Sequence, residues 1–151
     1  MSADPALPTS QSMRTLHRTL LAGGCVILAV FMTLVFVLHT GPLLSDGPGR
    51  QVIGLAAALA GLSAVARGYL VPGRRVPERL PGQSLDAYWQ AGAAGPSVLC
   101  WVMLEGGSVM TAVGFLLSGH LLPLGVSWAA LAALAAVGPA HFEERQRRSA
   151  V

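Results

Sequence analysis

Charged residues are scarce in this sequence, and lysine is absent from it. The 151 residues include ten basic residues, all of them arginine, and seven acidic ones, so charged residues make up 11% of the chain. Soluble domains carry about a quarter. Hydrophobic residues reach 53%, and the mean hydropathy is +0.59. Because so little polar surface cannot cover a hydrophobic core in water, the composition predicts that lipid surrounds most of the chain.

The sequence also lacks the patterns that carry enzyme chemistry, metal binding or nucleic-acid binding. It contains no P-loop, no G-x-S-x-G and no H-E-x-x-H. The two cysteines lie inside apolar runs, and the four histidines show no metal-ligand spacing on one helix. No basic face with interleaved aromatic residues is present. The sequence thus predicts a non-enzymatic protein without a metal, a cofactor or a nucleic-acid partner.

Four apolar runs predict an all-α integral membrane bundle of four transmembrane helices. A helix needs about twenty apolar residues to span a bilayer, and a span must be helical because lipid offers no partner to an open backbone. The predicted spans are residues 20–38, 52–71, 94–118 and 121–138. They form a transmembrane domain over residues 14–140, between a disordered tail at 1–13 and a charged tail at 141–151. Ser84 is a candidate cap for a short turn that leads into the third helix.

The arginines divide unevenly between the two sides of such a bundle. Nine of them fall on the side of the termini and the second loop, and only Arg50 falls on the other. The positive-inside rule therefore predicts that both termini are cytoplasmic, in a bacterial inner membrane. Tyr88 and Trp89, beside the second loop, are expected in the interfacial aromatic belt. The arginines expected at the cytoplasmic headgroups are Arg74, Arg75, Arg79, Arg145, Arg147 and Arg148.

Small residues line one stripe of the second predicted helix. Gly54, Gly61 and Gly68 recur every seven positions, and the third helix carries Gly107 and Gly114 on one face. Such stripes let helix backbones approach closely in lipid, so these glycines are predicted to pack against another helix. The pattern leaves open whether that helix belongs to the same chain or to a neighbour. The fourth helix has a similar stripe at Gly125, Ala129, Ala132 and Ala136.

Glu105 is the only charged residue inside the third span, and it is expected near the membrane centre. Burying an ionised carboxylate there costs at least about 2.5 kcal/mol. Arg67 lies near the end of the second span and is expected at a different depth. The Glu105 carboxyl is therefore predicted either to be protonated or to hydrogen-bond a hydroxyl such as that of Ser108 or Thr111. It is either an ion carrier or a polar contact between helices.

The second helix, the arginine-bearing loop and the third helix together resemble the helical hairpin of rotary ATPase c subunits, the proteolipids. The matching pieces are the Gly/Ala-rich run 54–61, the loop arginines and the run Leu-Glu-Gly-Gly at 104–107. The resemblance implies that Glu105 carries an ion, that Gly54, Gly61 and Gly68 form the packing face, and that the loop is cytoplasmic. Overall, the chain is similar to small bacterial four-helix membrane proteins with a Leu-Glu-Gly motif in the third helix.

Two functional hypotheses follow from the sequence. The first is a non-enzymatic structural or accessory subunit of a membrane complex, whose small-residue faces dock to other membrane subunits or to further copies of the chain. The second is a proton- or cation-translocating element that uses Glu105. A second polar group and a water path beside Glu105 favour the second hypothesis, whereas a dry contact favours the first.

Overall fold

The computed structural model describes residues 7–144, and these residues form helices and loops without any strand. The predicted all-α class is therefore confirmed. Three of the helices pass directly into a π-helical segment, and α3 and its segment Trp89–Ala93 lead into α4. The elements are α1 at Ser10–Met32 followed by Thr33–Val37, α2 at Pro48–Gly68 followed by Tyr69–Gly73, α3 at Leu85–Tyr88 followed by Trp89–Ala93, α4 at Ala94–Ser118, α5 at Leu121–Ala136 and α6 at Pro139–Glu143.

Three of these helical stretches are long and apolar enough to cross a membrane. They are Ser10–Val37, Pro48–Gly73 and Leu85–Ser118. A fourth apolar helix, Leu121–Ala136, has 16 residues. The protein is thus helical with three candidate membrane spans, and the first two are longer than the predicted 20–38 and 52–71.

The first helix begins within the segment that was predicted to be a disordered tail. Thr9 and Ser12 form a capping box, in which Ser12 donates its backbone N–H to Oγ1 of Thr9 at 3.2 Å and accepts that of Thr9 at 2.9 Å. This reciprocal pair satisfies two backbone donors that a helix start leaves free. The cap corrects the predicted tail for residues 10–13; residues 1–6 lie outside the described part.

Helix α4 is the centre of the bundle. It contacts α1, α2 and α5, and α5 also lies against α2 and, less extensively, α1. Gly119, with φ of 65°, ends α4 and allows α5 to turn back beside it. The indole of Trp101 in α4 donates to the carbonyl of Val137, just after α5, at 2.6 Å. Helix α5 therefore runs antiparallel to α4 along most of the length of α4.

Two clusters of buried apolar residues hold the helices together. The larger lies where α1 begins and α5 finishes, which we call the arginine-rich end of the bundle. The smaller joins Leu28, Ala112 and Leu131 of α1, α4 and α5. Outside these clusters, large apolar side chains such as Leu59 and Trp128 are more than half exposed. A surface of this kind suits contact with lipid.

Candidate functional site

Glu105 lies at the midpoint of α4, the helix with the most neighbours. It is the twelfth of 25 residues, about 17 Å from the first and about 20 Å from the last at 1.5 Å per residue. Its side chain is half-buried. The middle of α4, within the candidate span Leu85–Ser118, therefore carries a carboxyl group.

A pair of glycines on α1 receives this side chain. A Cβ atom added to Gly23 would lie 3.7 Å from Oε1 of Glu105, and one added to Gly24 would lie 3.8 Å from its Cγ. At Gly24 the added atom would also come within 2.6 Å of Cδ2 of Leu131, so α1 can approach this closely only without a side chain there. Glu105 thus packs against the backbone of α1. This contact was not predicted from the sequence, although the Gly-Gly dipeptide inside an apolar run was a signal for it.

The expected hydroxyl partners of Glu105 are engaged elsewhere. Ser108 pairs with Ser127 of α5, with 3.0 Å between the two Oγ atoms. The hydroxyl of Thr111 donates to the carbonyls of Gly107 and Ser108 at 2.9 Å. The prediction of a hydroxyl partner is therefore wrong. Within residues 7–144, no group forms a hydrogen bond or an ion pair with the Glu105 carboxyl.

Arg67 lies closer to the level of Glu105 than the sequence suggested. A Cβ atom on its neighbour Gly68 would lie 2.8 Å from Cβ of Met103, two residues from Glu105 in α4. The predicted difference in depth is wrong because α2 packs on α4 in a register that sets Gly68 beside Met103 and Cys100. The Arg67 side chain is nevertheless exposed, and it forms no ion pair with Glu105 in the described part of the chain.

The five predicted packing glycines all lie in one contact between α2 and α4. A Cβ atom on Gly61 would run into Thr111 and lie 3.2 Å from the carbonyl oxygen of Gly107. One on Gly107 would lie 3.2 Å from the carbonyl oxygen of Gly61. Similar close approaches join Gly54 to Ser118, Gly68 to Met103, and Gly114 to Ala57. We call this contact the glycine seam, and its partner helix belongs to the same chain.

A hydrogen-bonded aromatic cluster closes the arginine-rich end. Trp89 is fully buried and donates its indole N–H to Oε1 of Glu143 at 3.2 Å. The other oxygen of Glu143 accepts from Arg14 at 2.9 Å. His17 of α1 bonds the carbonyl of Leu134 at 2.8 Å. We call the group Arg14, His17, Trp89, Trp101 and Glu143 the polar-aromatic cluster.

This cluster corrects two expectations from the sequence. Tyr88 and Trp89 lie in the core and not in an interfacial belt, because Gly92, with φ of 109°, breaks the helix and turns α3 back over the bundle. Phe142 and Glu143 belong to α6 and are buried, so the charged tail predicted at 141–151 starts too early. The cap predicted at Ser84 is confirmed, since its hydroxyl accepts from Ala87 at 3.2 Å.

The predicted headgroup arginines differ in their surroundings. Arg74 and Arg75 are exposed just after the second helical stretch. Arg79 is half-buried and donates to the carbonyl of Gln83 at 2.8 Å from Nε. Arg145, Arg147 and Arg148 lie outside the described residues. At the opposite end of the bundle, Arg50 donates to the carbonyl of Ser118, the last residue of α4, and to Asp46.

The described residues hold no group of three or more histidine, cysteine, aspartate or glutamate side chains that could bind a metal ion. No protein-family model, no curated protein and no solved structure matches this chain. The resemblance of α2 and α4 to the c-subunit hairpin therefore stays a hypothesis. The candidate site is Glu105 with its glycine pair on α1.

Proposed function

We propose that this protein is a four-span membrane protein of the bacterial inner membrane and acts as a non-enzymatic structural or accessory subunit of a membrane complex. Both termini and the loop between α2 and α3 are assigned to the cytoplasm from the arginine bias. The antiparallel return of α5 along α4 supports the fourth span. Its 16 residues cover about 24 Å at 1.5 Å per residue, and residues at both of its ends are apolar.

One observation supports the subunit role above the others. Glu105 is only half-buried at the middle of α4, within a candidate span, and nothing among residues 7–144 bonds to its carboxyl group. A polar group in hydrocarbon is costly until it finds a partner. A neighbouring subunit that covers this position and supplies a donor would remove that cost. On its other side, the Glu105 side chain makes only van der Waals contact with Gly23 and Gly24, as expected for a structural contact.

Purification in a mild detergent and in lipid nanodiscs tests the subunit role. We expect the protein to elute as an assembly larger than the 15.6 kDa chain. Glu105→Leu should shift it towards the monomer, while Gly49→Leu, at an exposed glycine near the start of α2 with open space around it, should not. A protein that is monomeric in both media would refute the subunit role.

The topology is tested separately with cysteines in a background in which Cys25 and Cys100 are replaced by alanine. Ser45→Cys, in the loop that follows α1, should react with an impermeant thiol reagent in whole cells. Ser84→Cys, at the start of α3, should react only after the cells are opened. The reverse labelling pattern would show that the orientation is opposite to the proposed one. Equal labelling of both cysteines would contradict the four-span arrangement.

A second candidate function is proton or cation translocation by Glu105. The same unpaired carboxyl favours it, together with the close glycine packing of α2 and α4 that the c-subunit resemblance implies. The two functions differ in what they require of the carboxyl. Translocation requires that Glu105 gains and releases an ion, whereas a subunit contact requires only a hydrogen-bond acceptor.

A further inference from the structure

A second polar group at a helix midpoint also lacks a partner. Trp128 is the eighth of the 16 residues of α5, and its side chain is 52% exposed. The other two tryptophans, Trp89 and Trp101, are buried and donate their indole N–H groups to Glu143 and Val137. The indole of Trp128 donates to nothing among residues 7–144. In membrane proteins, tryptophan favours the interfaces, where its N–H meets water or headgroups.

Trp128 and Glu105 lie at nearly the same level of the bundle. The Ser108–Ser127 pair marks a common level on the antiparallel helices α4 and α5. Glu105 is three residues from Ser108, and Trp128 is one residue beyond Ser127 in the same direction. At 1.5 Å per residue, the two Cα atoms differ by about 3 Å along the bundle axis. An unmatched donor and an unmatched acceptor therefore share one depth.

The two groups do not bond each other within one chain. Glu105 lies against Gly23 and Gly24 of α1 and is only partly exposed, and Trp128 belongs to the exposed face of α5. The exposed face of α4 consists of Gly95, Leu99, Val102, Gly106, Met110 and Val113, and that of α5 includes Leu122, Gly125, Trp128, Ala129 and Ala132. Both groups are therefore unpaired in the described part of their own chain, and a contact between two copies can pair them.

We propose that the neighbour of this protein is a second copy of the same chain, in which the indole N–H of Trp128 donates to the Glu105 carboxyl of the next copy. This inference rests on the proposed subunit role and names the partner. Copies that insert with one orientation keep equal depths, so the donor of one copy meets the acceptor of the next. Gly106 and Ala129 lie beside the two groups on the exposed faces, and small residues there permit close approach.

A symmetric contact between two α4 faces does not give the Glu105 carboxyl a hydrogen-bond donor. The described neighbours of Glu105 on or beside that face are Val102, Gly106 and Val109, which offer no side-chain donor. Such a dimer would set one carboxyl against another. The α5-to-α4 contact is instead heterologous, because each copy uses two different surfaces, and heterologous contacts extend into rings or filaments.

Cysteine cross-linking in liposomes distinguishes these arrangements. Gly106→Cys and Ala129→Cys are placed separately in chains lacking Cys25 and Cys100, with different tags, and the two proteins are mixed. A short bifunctional thiol reagent should form the mixed 106–129 product in preference to the 106–106 and 129–129 products. A chain that carries both cysteines should give a ladder of dimers, trimers and larger species. Predominance of either like-with-like product, or no product, would overturn the proposal.

Two substitutions test the hydrogen bond itself. Trp128→Phe keeps the ring but removes the donor, and should lower the yield of the mixed product by about three- to tenfold, the range for one interhelical hydrogen bond in a membrane. Glu105→Gln keeps an acceptor and should leave the yield close to the parent, while Glu105→Leu should lower it as Trp128→Phe does. The melting temperature of each variant as a monomer in a dissociating detergent shows whether a lower yield of the mixed product comes from misfolding. An unchanged yield for a folded Trp128→Phe protein would overturn the bond.

The outcomes also separate this inference from the subunit role. If other polypeptides copurify in a complex that Glu105→Leu disrupts, and the 106–129 product is missing, the self-association is wrong and the subunit role stands. If the chain is monomeric in mild detergent and in nanodiscs, both are wrong. A ladder formed by the purified chain alone supports self-association.

Discussion

The glycine seam and the polar-aromatic cluster hold the same bundle together in different ways. In the seam, α2 and α4 approach so closely that a Cβ atom added at Gly61 or Gly107 would lie 3.2 Å from the backbone oxygen of the other glycine. In the cluster, buried indoles and a carboxylate from distant parts of the chain form hydrogen bonds. The seam depends on the absence of side chains, and the cluster depends on their polar atoms. The two regions should therefore respond to opposite kinds of substitution.

The largest expected effect is overpacking of the seam. Gly61→Leu adds a Cβ where Thr111 already lies, with the carbonyl of Gly107 just beyond. Because backbone cannot move aside cheaply, we expect a loss of about 3 kcal/mol in the free energy of unfolding. Thermal melting of the purified protein in detergent measures it.

The same insertion at an open glycine provides the matched control. Gly95 lies on the exposed side of α4 with no atom within 4 Å of an added Cβ, so Gly95→Leu should leave the melting temperature near the parent value. Leu62→Ala, at an exposed position one residue after Gly61, should also have little effect. If Gly61→Leu melts like these controls, the helices do not pack closely at the seam.

The next effect in size concerns the cluster. Glu143→Ala leaves the buried N–H of Trp89 without an acceptor, which costs about 2 kcal/mol in the free energy of unfolding. Glu143→Gln keeps an acceptor for Trp89 and should cost less. The neighbouring Glu144→Ala, at an exposed position, should be neutral. Equal melting temperatures for the alanine variants at 143 and 144 would mean that Trp89 does not need this partner.

The difference between the two regions also explains what the sequence could predict. The glycines of the seam repeat with a helical period, so pattern alone identified all five and left open only the identity of the partner helix. The cluster joins Arg14 to Glu143 across 129 residues, and no local pattern connects them. Trp89 was expected at the interface because it lies beside a loop in the sequence. The helix instead breaks at Gly92 and turns Trp89 inward, and such a break depends on tertiary contacts that the local sequence does not show.

Helix boundaries show the same division. The bounds of α4 coincide with the predicted span at 94–118. The apolar run before Gly119, the turn at Gly119 and the apolar run after it all indicate a helix end at this point. The start of α1 was missed because residues 10–13 were taken for the end of a polar tail, although Thr9 and Ser12 cap a helix. The environment of Glu105 was wrong for a related reason. Its neighbours Gly23 and Gly24 on α1 come from more than 80 residues earlier in the chain, whereas the expected Ser108 and Thr111 are close only in sequence.

The smallest expected effect on stability is at Glu105, which lies between the two regions and depends on neither. Because none of the residues at 7–144 bonds to its carboxyl, Glu105→Gln should change the unfolding free energy of the monomer by less than about 0.5 kcal/mol. Melting in a dissociating detergent measures this against Glu143→Ala. A loss as large as that of Glu143→Ala would show that the carboxyl has a charged or donating partner within the chain.

The same variant separates the two candidate functions, because glutamine accepts a hydrogen bond but cannot release a proton. If Glu105 serves as a subunit contact, Glu105→Gln should preserve the assembly in nanodiscs, and liposomes that contain either protein should show no proton flux. If it carries an ion, the parent should support flux, the variant should not, and a hydrophobic carbodiimide should modify Glu105 and block that flux. A parent that conducts protons while Glu105→Gln conducts equally would exclude Glu105 as the carrier. Helix α4 would then hold its carboxyl for contact alone.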